Sequence, residues 1–308
     1  MDNIMKNRAL RTLLLLALGV AWCGLFAARV QAKSVTDTTG CIVDLPDAPK
    51  RVVSLAPSIT EIVFFLGKGD LLAGVTRYSD YPAAAQKLPR VGSYIRPELE
   101  TIVSLKPDLC LAVKDGNPDK VIQRIKAFGI PVYTVNPDGI DTIIRSINEI
   151  GNLLNATSEA RTITDAMGAQ LEAIDRAIAG ASHKPRLFFQ IGISPIVSVG
   201  KNTFLNEMIR RAGGENVVTS KTPYPRFSKE QVLALAPEMI IITSMARNDD
   251  FDTMKQEWAS WPSLPAVQTN NIHVVNSDIL DRPTPRVVEG LAMLAALIHP
   301  TIFEEAAR

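Results

Sequence analysis

Apolar residues along this chain follow two rhythms that alternate. From Arg51 onward, "RVVSL", "LLAGV", "DLCLAV" and "PVYTV" are short continuous apolar runs rich in β-branched residues. Between and after them, "SITEIVFFLG", "PELETIVSL", "NPDKVIQRIKAFG" and "IDTIIRSINEIGNLL" place apolar residues three and four apart. Runs of the first kind predict strands buried on both faces, and segments of the second kind predict the helices that cover them. The result is an α/β lobe. The alternation then stops. In "TSEARTITDAMGAQLEAIDRAIAGAS", Ile163, Met167, Leu171, Ile174 and Ile178 recur at helical steps without an intervening strand. This predicts a helix from Ser158 to Ala179, about 33 Å long at 1.5 Å per residue. Thr157 or Ser158 is its expected N-cap, Glu159 favours the first turn, and Gly180 with Pro185 ends it. Beyond it the strand–helix alternation resumes, through "RLFFQI", "TFLNEMIRRAGG", "SKEQVLAL", "EMIIIT", "FDTMKQEW", "IHVV" and "TPRVVEGLAMLAALI".

The two halves repeat one another. "ELETIVSLKPDLCLAV" (98–113) and "SKEQVLALAPEMIIIT" (228–243) share Glu100 with Glu230, Leu105 with Leu235 and Pro107 with Pro237, each 130 positions apart. Tyr94 and Tyr224 keep the same offset. "EIVFFLGKGD" pairs with "NEMIRRAGGEN", each with a Glu six residues before its first Gly, and "PVYTVNPD" pairs with "IHVVNSD". Ordered pairings on both sides of one helix predict two similar α/β lobes with mainly parallel sheets, joined by one long α-helix. The expected boundaries are a leader at 1–32, a lobe at 33–154, the linking helix at 155–182 and a second lobe at 183–308. The linked lobes leave a cleft, a favoured place for a ligand.

Composition narrows the class. Lys6, Arg8 and Arg11 precede the apolar "TLLLLALGVAWCGLFA", and "VQA" ends at Ala32, the pattern of a signal peptide cleaved after Ala32. Its apolar core is shorter than the roughly 20 residues of a membrane span. Trp22 before Cys23 is too large for a usual lipoprotein motif. Residues 33–308 carry 29 basic and 31 acidic residues, a net charge of −2 that offers no field for nucleic acid or anionic lipid. Cys41 and Cys110 are too few for a disulfide scaffold; Cys110 sits in an apolar run as a small hydrophobe, and a single bridge between the two stays open.

Four of the five tyrosines lie in three loop segments: "TRYSDYP" (Tyr78, Tyr81), "VGSYIRP" (Tyr94) and "TPYPRFS" (Tyr224). A phenol offers a flat apolar face and one polar tip, which suits a large flat ligand. Each tyrosine alone is equally explained by loop packing; the matched pair Tyr94 and Tyr224 favours the cleft. "NSDILDRPTPR" adds Asp278, Asp281, Arg282 and Arg286. There, capping and surface ion pairing compete with contact to the polar edge of a ligand. Glu100 and Glu230 favour a helix dipole, and as a symmetric acidic pair they also suit a two-fold basic partner. Enzyme machinery is not expected. The histidines His183, His273 and His299 lack metal-ligand spacing, there is no phosphate loop or G-x-S-x-G elbow, and Asp249–Asp250 fits a solvated loop.

From about Arg51 to the C-terminus the chain resembles the class III substrate-binding proteins of ABC importers, through "RVVSLAPSITEIVFFLG", "VGSY…LETIVSLKPDL" and "AGGENV". Within that family, "GVTRYSDYP", "GNP", "RLFFQIGISP", "TPYPRFSKEQVLA" and "SD…R…PR" are most similar to the cobalamin-binding members. The resemblance implies a periplasmic, monomeric carrier of a corrinoid, cobalamin or cobinamide, with no cofactor. Its partners would be an ABC permease dimer and the attached ATPase. Ligand positions match Tyr78, Tyr94, Tyr224, Asp278 and Arg282, and the lobe-tip acids that meet permease arginines match Glu100 and Glu230. Val113 and Ile191 stand where further aromatic contacts are expected, which makes this pocket less aromatic. Haem- and siderophore-binding relatives share the general marks, and Tyr94 with Arg96 matches a tyrosine–arginine iron-binding pattern; a sensor on the same fold is the remaining alternative. The stiff link implies limited lobe closure.

Overall fold

The computed structural model describes residues 32–243 and 251–306. Residues 1–31 of the expected leader, Cys23 among them, and the Asp249–Asp250 pair lie outside these residues. In chain order the first half contains β1 (Ala32–Thr36), β2 (Ile42–Pro46), β3 (Val52–Ser54), α1 (Pro57–Phe65), β4 (Leu72–Gly74), β5 (Gly92–Ser93) and β6 (Arg96–Pro97). It continues with α2 (Leu99–Ser104), β7 (Leu109–Val113), α3 (Asp119–Ala127), β8 (Val132–Val135) and α4 (Ile140–Leu153). Helix α5 (Thr157–Ile178) follows. The second half contains β9 (Arg186–Gly192), β10 (Ile196–Ser198), α6 (Phe204–Arg211), β11 (Glu215–Asn216), β12 (Arg226–Phe227), α7 (Lys229–Leu235) and β13 (Met239–Ile242). Then come α8 (Phe251–Ala259), α9 (Pro265–Gln268), β14 (Ile272–Val274), α10 (Ser277–Leu280), α11 (Val287–Ile298) and α12 (Pro300–Ala306).

The first sheet is parallel in the order β4-β3-β7-β8, with Val52 opposite Leu109 and Cys110 opposite Val132. Every residue of β3, β7 and β8 is buried, as two-sided coverage requires. The second sheet keeps the same centre: β13 lies parallel between β9 and β14, with Leu187 opposite Met239 and Ile240 opposite Ile272. It differs at one edge, where β10 and β12 run antiparallel. The sequence repeat is visible in space, since β6 and β12, and likewise β7 and β13, begin 130 positions apart. The hairpin β1–β2 was not expected. It buries Val43 and Leu45, and Thr38 donates its hydroxyl to the carbonyl of Thr134 at 2.7 Å.

Helix α5 buries Met167, Leu171 and Ile174, while Ile163 and Ile178 pack partly exposed against the same core. Its N-cap is Ala156, with no side-chain cap. The Thr157 hydroxyl donates instead to Asn152 Oδ1, and Ser158 to Glu159, so neither expected residue caps. One apolar cluster runs from Val43 and Val52 through α4 and α5 to Phe189, Leu205 and Leu291. The lobes therefore share a core across the helix layer rather than meeting only through a tether.

Glycine closes α1 and α6 in the same way. Gly67 (φ +68°) and Gly213 (φ +83°) take the left-handed conformation, and the next N–H groups reach back to Val63 and Ile209. Six residues before each glycine sits the repeated glutamate, and each reaches the other lobe. Glu61 on α1 is fully buried and meets Arg282 Nη1 at 2.7 Å and Arg286 Nε at 2.9 Å. Glu207 on α6 accepts from the backbone N–H of Ile140, the first residue of α4, at 2.9 Å. Cys41 and Cys110 are both free, the first exposed on the hairpin and the second buried in β7. Burial pushes the Cys110 thiol up to about 12.

Candidate functional site between the lobes

A cleft of about 1010 Å³ opens where the C-terminal ends of the parallel strands of both sheets face each other. From the first lobe come Val113 at the end of β7, Asp138 after β8, Tyr78 and Tyr94. From the second come Ile191, Phe204, Tyr224, Asp278, Asp281 and Arg282. Loops at these strand ends are where ligands of open α/β sheets bind. Val113 and Ile191 do line the cleft, with aliphatic surface where a larger ring is absent.

Tyr94 is set by two neighbours that are not aromatic. Its ring lies so close to Gly116 (φ +133°) that a Cβ there would sit 2.6 Å from Cε2. Asn117 donates to the carbonyl of Tyr94 at 2.7 Å and to that of Leu55 at 2.8 Å, while its Oδ1 accepts from the N–H of Val113. One buried amide thus ties β3, β7 and the Tyr94 loop together. Tyr224 is held by backbone: Gly200 donates to Pro223 at 2.8 Å and Ser198 to Pro225 at 3.0 Å. A side chain at Gly200 would meet the carbonyl of Thr222 at 2.0 Å. The Tyr78 loop hangs on the Ser79 hydroxyl, which lies within 2.9 Å of Thr60 and Thr76, and on Arg90, which donates to the carbonyls of Thr76 and Ser79. Tyr78 and Tyr224 are about two-fifths exposed. Tyr81 lies elsewhere, with the Arg286 guanidinium 4.0 Å above its ring. The fifth, Tyr133, is a buried core residue.

The phenols are held protonated. Burial, then the charge of Asp281, raises Tyr94. Burial, then Asp115, Tyr94 and Asp281, raises Tyr224 to about 12. Arg96, the expected partner of Tyr94, is exposed and lines an adjoining groove of about 580 Å³ on the first lobe, which shares Tyr78 and Tyr94 with the cleft and also holds Arg77, Arg124 and Glu100.

Arg282 borders the cleft, but its side chain is only 7 % exposed and both Nη groups are committed. Nη1 goes to Glu61; Nη2 meets Asp278 Oδ1 at 2.6 Å, the Tyr78 carbonyl at 3.2 Å and Asp80 at 3.3 Å. Arg286 donates to both oxygens of Glu61 and to the Asp278 carbonyl. Burial raises Glu61, and the hydrogen bonds and charges of the two arginines pull it back. The arginines thus pair with a buried carboxylate of the opposite lobe, where the sequence suggested surface partners or a ligand. Asp278 is itself capped, its N–H donating to Asn276 Oδ1 at 2.8 Å. Asp281, noted in the sequence only as part of its loop, was missed as a cleft residue. Its Oδ1 accepts from Thr243 at 3.1 Å, while Oδ2 is buried without a partner among the described residues.

Glu100 and Glu230 are exposed in the first turns of α2 and α7. The Ser228 hydroxyl and its own backbone N–H hold the Glu230 carboxyl below its usual range. Among the described residues no three acids, cysteines or histidines are placed to hold a metal ion.

Residues 52–279 match the model of the periplasmic binding protein family. The chain belongs to that family. Its members are substrate-binding components of transport, not enzymes, and this chain is one of them. The vitamin B12-binding protein of Vibrio parahaemolyticus is 35 % identical over 244 residues, covering 79 % of this chain and 86 % of that protein. The crystal structure of the periplasmic vitamin B12 binding protein BtuF of Vibrio cholerae matches with a TM-score of 0.74 at 29 % identity, covering 83 % of this chain and 98 % of the other. The periplasmic haem-binding protein RhuT of Roseiflexus matches with the same TM-score at 23 % identity, covering 82 % and 99 %. This last likeness is one of fold alone. The architecture is the two-lobed class III fold. Among the described residues no helix is long and apolar enough to cross a membrane.

Proposed function

We propose that this protein is a periplasmic corrinoid carrier that captures cobalamin or cobinamide in its inter-lobe cleft and delivers it to an ABC permease. One observation carries the reading. The cleft of about 1010 Å³ sets Tyr94 and Tyr224, from matched positions of the two lobes, beside the same ligand space. That volume is at the upper end for small-molecule sites, so the solute is large, and the phenols offer flat faces with donor tips. The corrinoid is cargo and not a cofactor. Tyr78, Tyr94, Tyr224 and Asp278 contact it, and Arg282 contributes by fixing Asp278. The vitamin B12-binding relatives support this assignment.

Haem is the second reading, favoured by the likeness to haem-binding folds. Iron ligation through tyrosine needs a phenolate. Here burial and neighbouring acids raise both phenols, which opposes that ionisation. These features favour the corrinoid. The leader at 1–32 exports the chain, which acts as a monomer, and Glu100 and Glu230 meet the two halves of the permease, to which its ATPase is attached. The test is retention: the protein is incubated with cobalamin, cobinamide or haemin, desalted, and its absorption spectrum recorded. A corrinoid band is expected; retention of haemin alone overturns the assignment.

A further inference from the structure

The charged groups that border the cleft are unbalanced. Asp115, Asp138, Asp278 and Asp281 line it, and among the described residues the cation on the same wall is Arg282, with Arg77, Arg96 and Arg124 set back in the adjoining groove beyond Tyr78 and Tyr94. That guanidinium is consumed by Glu61, Asp80 and Asp278. Helices α1 and α6 present their N-termini to the cleft through Pro57, Ser58 and Phe204, each worth about half a positive charge, which does not offset the acids. Two of the four acids have their oxygens engaged: Asp138 accepts from Thr142 and Asn136, and Asp278 pairs with Arg282. The other two flank the tyrosine pair from opposite lobes. Asp281 keeps a buried Oδ2 with no donor among the described residues. Asp115 is exposed at the end of β7, and its charge reaches Tyr224.

We propose that Asp281 and Asp115 set the charge selectivity of the cleft: it takes a large ring compound whose edge carries carboxamides and refuses one whose edge carries free carboxylates. The exposed carboxylate of Asp115 accepts a ligand N–H, and Asp281, whose Oδ2 is buried, acts on the ligand edge through its charge. A carboxamide supplies two such hydrogens, whereas a carboxylate supplies none and adds a like charge. The same acids raise the Tyr94 and Tyr224 phenols, so both keep their hydrogens to donate to a ligand carbonyl. Carboxamide carbonyls accept these hydrogens while the amide N–H groups serve Asp115. The inference rests on the corrinoid reading and adds to it the feature that separates corrinoids from haem, whose edge bears two propionates.

Two probes with one ring system isolate the effect: dicyanocobinamide, with an amide edge, and dicyanocobyrinic acid, with a carboxylate edge. Their dissociation constants are measured at pH 8, where Asp281 is ionised, by tryptophan quenching or calorimetry for the wild type, Asp281→Asn, Asp115→Asn and the double variant. The wild type is expected to favour the amide form by at least about tenfold, and that ratio should shrink in raised salt. The double variant should narrow it further by gaining affinity for the acid form. Equal affinities in the wild type, or a ratio unchanged in the variants, overturn the proposal while leaving the corrinoid reading intact. Failure of the wild type to bind either probe overturns both. Asp115 is exposed, so its variant stays informative even if Asp281→Asn folds poorly, and the wild-type ratio needs no variant.

Discussion

Asn117 is the residue on which the geometry of Tyr94 turns. Its amide makes three hydrogen bonds, two of them buried, to three separate backbone segments. Asn117→Ala leaves the Val113 N–H and two carbonyls without partners, at a cost of about 2–4 kcal/mol. Urea unfolding is expected to show that loss, and the folded fraction should bind dicyanocobinamide more weakly; unchanged affinity would mean Tyr94 is placed by Gly116 alone. Asp281 gives a second prediction, in pH. Burial raises its carboxyl to about 7, with Asp278 adding to the shift and Thr243 and Arg282 opposing it; Tyr94 and Tyr224 face it as neutral phenols. The folded protein holds this proton after the unfolded chain has released it near pH 4. The stability tied to the group is therefore full below that pH and is lost as pH rises through about 7. Relative to the wild type, Asp281→Asn should gain stability from pH 5 to pH 8, by on the order of 1–3 kcal/mol, because the amide never has to ionise in its buried place. Parallel pH profiles of the two proteins would show that Asp281 titrates normally. The tyrosines were legible in the sequence because aromatic residues in loops stand out. Asn117 and Asp281 were not, because their importance is a set of partners that only folding brings together.

At the scale of elements, the repeated glutamate before the helix-closing glycine was visible as a pattern, and its destination was hidden. Glu61 and its arginines are more than 220 positions apart, a pairing that no local rhythm encodes. The two copies have diverged in consequence. Glu61 has no exposed surface and serves two guanidinium groups, so Glu61→Ala buries uncompensated positive charge and should cost about 3–5 kcal/mol. Glu207 supplies one acceptor to the start of α4, where Thr142 already accepts from the Gly139 N–H, so Glu207→Ala should cost about 1 kcal/mol. Chemical denaturation of both variants measures the contrast; equal losses would deny the buried triad its role between the lobes. The strands and helices with strong periodicity were all legible. The antiparallel strands β10 and β12 were not, because strands of two or three residues carry too little alternation. The hairpin β1–β2 escaped because its link, "DTTGC", lacks the two-residue turn that marks a hairpin.

For the whole molecule, the apolar core runs unbroken between the lobes and the Glu61 and Glu207 ties cross from each side. A large hinge would have to open both. Small-angle scattering of free and cobinamide-loaded protein should therefore give superimposable profiles, and a marked compaction on loading would contradict the shared core. A frame that moves little must signal loading through the surface it already presents. Glu100 and Glu230 stand exposed at the starts of equivalent helices, and neither borders the inter-lobe cleft. Removing both should leave cobinamide affinity largely unchanged, since neither acid borders the cleft and exposed charges are screened by salt. It should lower the rate of docking to a permease with basic pockets, because exposed complementary charges act mainly on encounter. In vesicles carrying the permease and its ATPase, Glu100→Ala with Glu230→Ala is expected to cut uptake by about tenfold or more at low salt. Each single variant should fall between, because one lobe still engages. If the double variant transports normally, the two acids serve only their helix dipoles, and the duplication of the lobes must be explained by the cleft alone.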